Sequence, residues 1–305
     1  MATADDRQIS ITLEEGIRRR RRMPLWMEPF YTLVTKKYLG TFGGAVLLLM
    51  VLAAIFADVV TPYDPVAQSL DQRLNAPSAQ HIMGTDQLGR DVLTRILFGA
   101  RTSLFVGLGV VIIAVTLGTT VGVTSAYFGG KYDVVLQRVV DAVQSIPSLI
   151  LLLTIISIIG PGMGNVILAL ALRSSISESR VARSAVFAIK ENQYMDAARA
   201  IGCTHMRIIT NYVLPNITAP IIILASLTLG ASILAESTLS FLGWGVPPPH
   251  PTWGSMLSDE ARRFMIDAPW MAVAPGLALS LSVFGINMFG DGLRDVLDPR
   301  MRGSR

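Results

Sequence analysis

The sequence carries little charge for its length. Of its 305 residues, only 16% are Asp, Glu, Lys or Arg, while 51% are hydrophobic. A soluble domain carries about 25% charged residues. Because the missing charge leaves several long stretches almost free of ionisable side chains, the composition predicts lipid-facing surface rather than one very large core. The net charge of +4 follows this pattern and indicates no nucleic-acid partner.

Cysteine and the common catalytic motifs are also scarce. The single cysteine, Cys203, excludes an internal disulfide framework and a thiol metal site. No lysine lies in a Gly-x-x-x-x-Gly-Lys-Ser/Thr motif, so the chain lacks the loop that binds ATP phosphates in many ATPases. The histidines lack His-Glu-x-x-His spacing, and no Gly-x-Ser-x-Gly elbow occurs. We therefore predict no enzyme activity, no catalytic residue, no metal and no cofactor.

Several apolar stretches are long enough to cross a bilayer, whose hydrocarbon core of about 30 Å needs about 20 helical residues. In chain order the candidate spans are Phe42–Val60, Ser103–Tyr127, Val139–Gly160, a stretch from Met163, Ile217–Phe241 and Met271–Phe289. The third contains Asp141 and Pro147. The fourth is apolar only to Leu172, so it spans only if it continues through Arg173 and Glu178. The sequence thus predicts an all-α integral membrane protein with six transmembrane helices.

Basic residues predict the orientation of these spans, because cytoplasmic segments are enriched in Lys and Arg. With the N-terminus in the cytoplasm, 20 of the 26 basic residues lie on the inner side. Both termini are then cytoplasmic. A cleaved signal peptide is the rival explanation of the first span, but the arginines at 18–22 lie far upstream and no small-residue cleavage site follows, which favours an uncleaved anchor.

The chain divides accordingly into four parts. We expect a basic cytoplasmic arm at 1–39 and a first transmembrane helix with an extracytoplasmic segment at 40–100. A five-helix transmembrane core follows at 101–291, and a cytoplasmic tail at 292–305. Within the core, a cytoplasmic loop at 185–215 separates spans four and five.

This loop predicts two helices, Ala185–Ala200 and Thr204–Val213, with a turn at Gly202. It is too small for an enzyme domain, but large enough to contact a soluble partner. Periodicity alone leaves two readings open, an ordinary interfacial loop or a docking element.

A motif in the loop favours docking. Asp196, Ala197 and Ala198 are followed at motif spacing by Gly202, and then by Leu214 and Pro215. The pattern resembles the EAA motif of ABC importer permeases, with Asp in place of Glu and Tyr212 where Ile is usual. The resemblance implies a coupling helix that contacts an ATP-hydrolysing subunit. The coupling residues would be Asp196, Ala197, Ala198, Ala200, Gly202 and Cys203.

Further blocks, at 83–91, 145–147, 239–243, 251–254 and 290–300, resemble C-type permeases of the dipeptide, oligopeptide and nickel importer family in the family's order. The resemblance implies half of a translocation pathway in the bacterial cytoplasmic membrane. The implied partners are a second homologous permease in a heterodimer, two cytoplasmic ATPase subunits and an extracytoplasmic solute-binding protein. The family's solutes are peptides, nickel complexes, glutathione and some sugars.

Four polar residues within the spans are candidates for the translocation pathway, because ionisable groups in a membrane tend to mark pathways or packing pairs. These candidates are Arg173, Ser177, Glu178 and Glu236. The alternative for the first three is that span four ends early, and for Glu236 that its carboxylate reaches the interface. Two structural expectations accompany them: Asp141 pairs with Arg138, and Gly118 with Gly122 admits a neighbouring helix, at the partner permease for example.

Two other functional classes are open on the residues alone. The chain could be a self-sufficient secondary transporter or channel, although no internal repeat is evident. It could also be an intramembrane enzyme, which the missing catalytic motifs disfavour.

Overall fold

The computed structural model describes residues 37–297 together with Leu33 and Thr35. In chain order the helices of this part are α1 Tyr38–Val60, α2 Val92–Phe128, α3 Gly130–Gln144, α4 Ser148–Ile159, α5 Met163–Lys190, α6 Gln193–Ala200, α7 His205–Ile208, α8 Leu214–Phe241, α9 Trp253–Met256, α10 Asp259–Arg263 and α11 Trp270–Leu297. Most of the predicted arm at 1–39, and the tail beyond 297, lie outside the described residues. The described part contains no β-strand, only an isolated bridge between Thr85 and Asp91, and the all-α class is confirmed.

Within the residues that the structure describes, four continuous helical stretches are long and apolar enough to cross a membrane. They are Tyr38–Val60, Val92–Phe128, His205–Phe241 and Trp270–Val296. A fifth candidate is the pair α3 and α4. Together the two helices are long and apolar enough to cross, but they are bent by 91° relative to each other. Helix α5 is 28 residues long, but it is too polar to count among these apolar candidates.

Pro147 accounts for the bend between α3 and α4. Its backbone is extended, with φ −53° and ψ 130°, and it is the residue immediately before the first turn of α4. Because proline has no N–H and disfavours helical geometry in the residue before it, helices tend to end just ahead of it. Helix α3 therefore ends at Gln144, and α4 begins in a new direction at Ser148.

Helices α2 and α5 pack side by side and run in the same direction. A Cβ atom added to Gly109 would lie 3.2 Å from Ile167 Cδ1, one on Gly118 would lie 2.6 Å from Glu178 Cβ, and one on Gly122 would lie 2.8 Å from Ala182 Cβ. The contacts advance along both helices together, which defines a parallel register. Gly118 and Gly122 thus admit a neighbouring helix as predicted, but it is α5 of the same chain and not the partner permease.

The remaining long helices pack around this pair. Helix α8 contacts α2, α5 and α11, and α11 also lies along α1. Pro220 in α8 and Pro275 in α11 are both inside helices. A core cluster of Met50, Leu104, Ile233, Trp253 and Ile286 joins α1, α2, α8, α9 and α11.

The segment between α1 and α2 is held by polar contacts. Asp91 caps α2, accepting hydrogen bonds from Thr94 N at 2.8 Å and from Thr94 Oγ1 at 2.7 Å. Its other oxygen lies 2.9 Å from Nδ1 of His81, which is 3% exposed. Nε2 of the same ring lies 3.2 Å from Gln72 Oε1. These contacts fold the segment back onto the start of α2.

Two tryptophans join the segment before α2 and the segment between α8 and α11 to the helices. Trp253 in α9 is 2% exposed, and its Nε1 donates to the Ile96 carbonyl of α2 at 3.1 Å. Gly99 makes room for it, because a Cβ there would lie 3.0 Å from Trp253 Cδ1. Trp270 Nε1 donates to the Thr85 carbonyl at 3.1 Å. The two connections between spans therefore meet over the same end of α2.

Candidate functional site

The loop at 185–215 has different helix boundaries from those predicted. Helix α5 continues to Lys190, and Asn192 then adopts an extended backbone with ψ 142° before α6 begins at Gln193. The single helix predicted over Ala185–Ala200 is therefore wrong. Asparagine favours helix ends because its side chain competes for backbone hydrogen bonds.

The predicted turn lies at Gly202, whose φ of +78° is a left-handed conformation that glycine adopts at little cost. The following helix does not end at Val213. It passes from α7 through a π-helical turn at Ile209–Val213 directly into α8, so the turn and α8 form one continuous rod.

Helix α6 presents two different faces. Met195 and Ala198 are buried, at 0% and 2% exposure, and they pack with Val186 of α5 and Ile208 of α7 in one apolar cluster. Of the predicted coupling residues, Ala198 is thus on the inner face and Cys203 is partly buried against the same cluster. The other four, Asp196, Ala197, Ala200 and Gly202, are exposed.

Contacts at the end of α2 support this unit. The Tyr127 hydroxyl lies 2.8 Å from His205 Nδ1, and the Phe128 ring packs edge-on against the same imidazole with centroids 5.9 Å apart. Lys190 Nζ donates to the Ala126 carbonyl at 2.8 Å. Because α6 lies between Lys190 and His205, both of its ends are connected to the last turn of α2.

The exposed side of the unit is apolar. Ile201 is 75% exposed and Met206 is 70% exposed, and both lie within a few residues of Gly202. Large exposed apolar side chains that lie close together mark a contact with another protein or with a membrane. Beside them, Asp196 and Arg199 form an exposed ion pair at 3.0 Å.

Ion pairs connect α3 with α5. Arg183 makes two hydrogen bonds to the Asp133 carboxylate, at 2.7 and 2.6 Å, and Ser125 of α2 donates to the same group. Asp141 pairs with Arg180 of α5, so the predicted pair with Arg138 is wrong. Arg138 is a neighbour along the helix, whereas Arg180 is brought close by the packing of the two helices.

The face of α5 that points away from α2 is polar. Arg173, Ser177, Arg180 and Ser184 follow one another at helical spacing along it. Ser177, Arg180 and Ser184 are exposed in the isolated chain, and Arg173 is half-buried. The structure therefore brings the predicted residues Arg173 and Ser177 onto one continuous stripe.

Glu178 and Glu236 lie elsewhere, inside the chain. Glu178 is 2% exposed and accepts a hydrogen bond from Thr228 of α8 at 2.8 Å. Glu236 is 0% exposed and accepts from Ser240 at 2.6 Å. Both sequence-level alternatives for Glu236 predicted an accessible carboxylate, and in this conformation the group is buried instead.

The sequence patterns did not predict a role for several residues of this region, among them Tyr127, Thr228 and Lys190. Each acts through a partner far away along the chain. Only Lys190 had a signal of its own, as a cation in the last turn of a helix, where the C-terminal dipole favours positive charge.

The described chain is an all-helical bundle with long apolar helices, a short helix packed on the end of α2 and a polar face on α5, which is the architecture of a helical membrane protein. The comparison with protein families agrees. Residues 114–303 match the family of binding-protein-dependent transport system inner membrane components, and residues 35–77 match the N-terminal transmembrane domain of oligopeptide transport permease C. The chain belongs to the first of these families.

Curated relatives are similar over most of their length. A dipeptide transport system permease protein of Alkalihalophilus pseudofirmus is 42% identical over 277 residues, covering 91% of this chain and 90% of the relative. A di/tripeptide transport system permease protein of Pseudomonas aeruginosa is 40% identical, covering 87% and 89%. A glutathione transport system permease protein of Escherichia coli is 37% identical, covering 91% of each.

A solved structure has the same fold. A chain of the methionine ABC transporter MetNI, in an inward-facing conformation, aligns with a TM-score of 0.55 and 19% identity, covering 67% of this chain and 96% of that one. Together with the family and its relatives, this fold identifies the chain as a permease subunit of an ABC importer, and the resemblance found in the sequence is confirmed.

Proposed function

We propose that this permease forms half of a pathway that imports short peptides, driven by ATP hydrolysis in separate cytoplasmic subunits. The observation that carries the proposal is the exposed apolar surface around Gly202, placed on the end of α2 beside a bundle with a polar inner face. The named solutes of its relatives, dipeptides, di/tripeptides and glutathione, are all short peptides.

We infer six membrane crossings. They are the four long apolar helices, the bent pair α3 and α4 as one crossing, and α5. Parallel neighbours in a membrane must be separated by an odd number of crossings, and α2 and α5 are parallel. The bent pair α3 and α4 therefore counts as one crossing, and α5 returns in the direction of α2. Its polarity is explained by its position, because α2 covers one face and the pathway hydrates the other.

The exposed residues of the α6 unit form the proposed ATPase contact. Asp196, Ala197, Ala200 and Gly202 face outward, whereas Met195 and Ala198 fasten the helix to the cluster beneath it. A displacement of α6 by the ATPase is thereby passed to the last turn of α2, through His205 at one end of α6 and through Lys190 at the other. Ala198 therefore holds α6 on the cluster and does not contact the ATPase itself.

The pathway face is proposed to be the stripe of α5 that contains Arg173 and Ser177. Glu178 is on the opposite side, facing Thr228, and Glu236 holds the outer end of α8. We propose that these two carboxyl groups position the helices and do not contact the solute. The second permease subunit would close the stripe from the other side.

The test is reconstitution of the complete transporter in liposomes with labelled dipeptide and ATP. Ala197→Arg should abolish co-purification of the ATPase subunits and ATP-dependent uptake, because a long cation is placed in the contact. The thermal stability of the membrane chain should not change, since Ala197 is exposed. Ala67→Arg, at an exposed alanine of the outer segment, is the matched control and should leave uptake intact.

Two results would contradict the proposal. If the Ala197→Arg chain still bound the ATPase subunits fully, α6 would not be the ATPase contact. Uptake by the lone chain in liposomes, without ATPases, would instead identify a secondary transporter or channel.

A further inference from the structure

On the proposed six-crossing topology, Arg173 lies at the middle of the membrane. The parallel register that pairs Gly109 with Ile167 and Gly118 with Glu178 places Arg173 level with Ala114. Ala114 is near the centre of Ser103–Tyr127, a stretch of α2 without any charged side chain. An arginine side chain is too short to reach either interface from that depth, so it cannot escape by snorkelling.

The other basic residues of α5 all have partners. Arg180 pairs with Asp141, Arg183 with Asp133, and Lys190 with the Ala126 carbonyl. Among the residues that the structure describes, Arg173 has no ion-pair or hydrogen-bond partner, and its side chain is half-buried on the polar stripe. A charged side chain at the centre of a membrane helix is costly unless a partner or water compensates it.

An uncompensated charge of this kind points to a ligand that supplies the opposite charge. We propose that Arg173 binds the carboxylate of the transported solute as it passes the middle of the pathway. The guanidinium matches a carboxylate in geometry, with two parallel N–H donors for two oxygens. Ser177, one turn along the same stripe, places a hydroxyl next to this site.

The inference deepens the proposed function and rests on it. It assigns to the pathway a solute class, small molecules with a free carboxylate such as the C-terminal group of a short peptide. An acidic residue of the second permease subunit is the competing partner for Arg173, and the experiment below distinguishes the two.

The experiment compares uptake of a labelled dipeptide with uptake of its C-terminal amide, by wild-type and Arg173→Ala transporters in liposomes. The solute-binding protein itself prefers one of the two ligands, but this preference is identical for both transporters and cancels in the ratio. We expect the preference for the free carboxylate over the amide to fall about ten-fold in the variant, because one charge-assisted contact is lost. Arg173→Lys should retain part of it, since a point charge remains.

The same uptake ratio in wild type and Arg173→Ala would overturn the proposal. So would a loss of the second permease subunit from the purified Arg173→Ala complex, because that result assigns Arg173 to the subunit contact. Lys131→Ala, which removes an exposed cation at the start of α3, controls for net charge and should keep the wild-type ratio.

Folding and function are separated by two further measurements. Thermal unfolding of the purified complex shows whether Arg173→Ala is assembled, and ATP-driven uptake of the amide shows whether the variant still transports. A transporter that imports both ligands without distinguishing them contradicts this inference alone. A complex that imports neither ligand in its wild-type form contradicts the proposed function.

Discussion

The two ends of the bundle, called outer and inner after the orientation predicted from the sequence, are held by different kinds of contact. At the outer end, the segments around His81 and Trp253 direct their polar atoms inward, where Asp91, Gln72 and the Ile96 carbonyl satisfy them. At the inner end, the α6 unit is fastened by apolar packing and shows further apolar side chains, Ile201 and Met206, to its surroundings. The outer end also exposes large apolar side chains, among them Leu70 at 70% and Ile266 at 96%. The two ends therefore differ in the contacts that hold them and not in the amount of exposed apolar surface.

The largest effect on stability is expected from Trp253→Ala at the outer end. The substitution removes a buried indole and its hydrogen bond to Ile96, which costs about 3–5 kcal/mol in typical cores. Thermal unfolding of the purified protein in detergent measures it. Trp244→Ala is the control, because that side chain is 42% exposed; equal losses for both tryptophans would contradict the role of Trp253 as an anchor.

An intermediate effect is expected from Asp91→Ala. The helix cap on Thr94 disappears and the buried His81 ring loses its partner, which together should lower stability by about 2 kcal/mol. Asp91→Asn retains an acceptor and should lose less. Asp71→Ala, at an exposed aspartate of the same segment, should have no measurable effect on the unfolding temperature. A stable Asp91→Ala chain would mean that the outer end does not depend on its polar contacts.

The smallest effect on stability, and a large one on assembly, is expected from the pair Ile201→Ser and Met206→Ser. Exposed substitutions change folding stability by about 0.5 kcal/mol or less, and both side chains are at least 70% exposed. Co-purification of the ATPase subunits should nevertheless fall strongly. Ile82→Ser, at an outer isoleucine that is 66% exposed, should leave assembly unchanged. Equal behaviour of the inner and outer variants would remove the contrast between the two ends.

The fold was predictable from the sequence where one local property decides it. Apolar length identified α1, α2, α8 and α11, because a bilayer imposes that length directly. Gly202 marked a turn through its own backbone preference. The break at Pro147 was not predicted, because Val139–Gly160 was expected to be one continuous span. The docking role of α6, in contrast, came from resemblance to a family, since periodicity alone did not distinguish it from an ordinary loop.

The errors concern contacts between distant residues. Asp141 was assigned to Arg138 because the two are close along one helix, yet its partner Arg180 is 39 residues away. The helix expected to begin at Ala185 is the end of α5, because alanine-rich sequence carries no signal for where one helix stops and the next starts. The burial of Glu236 also depends on the N-cap of α9, Thr252, whose side chain reaches the carboxyl group.

The glycine face of α2 has a consequence for how the chain enters the membrane during synthesis. On the six-crossing topology, α5 carries Arg173, Glu178 and Arg180, and such a segment partitions poorly from the translocon into lipid by itself. Helix α2 is made earlier, and Gly118 and Gly122 leave a groove that α5 fills. We expect α5 to insert only alongside α2, so a glycine substitution in that groove would act as a biogenesis defect before it affected transport.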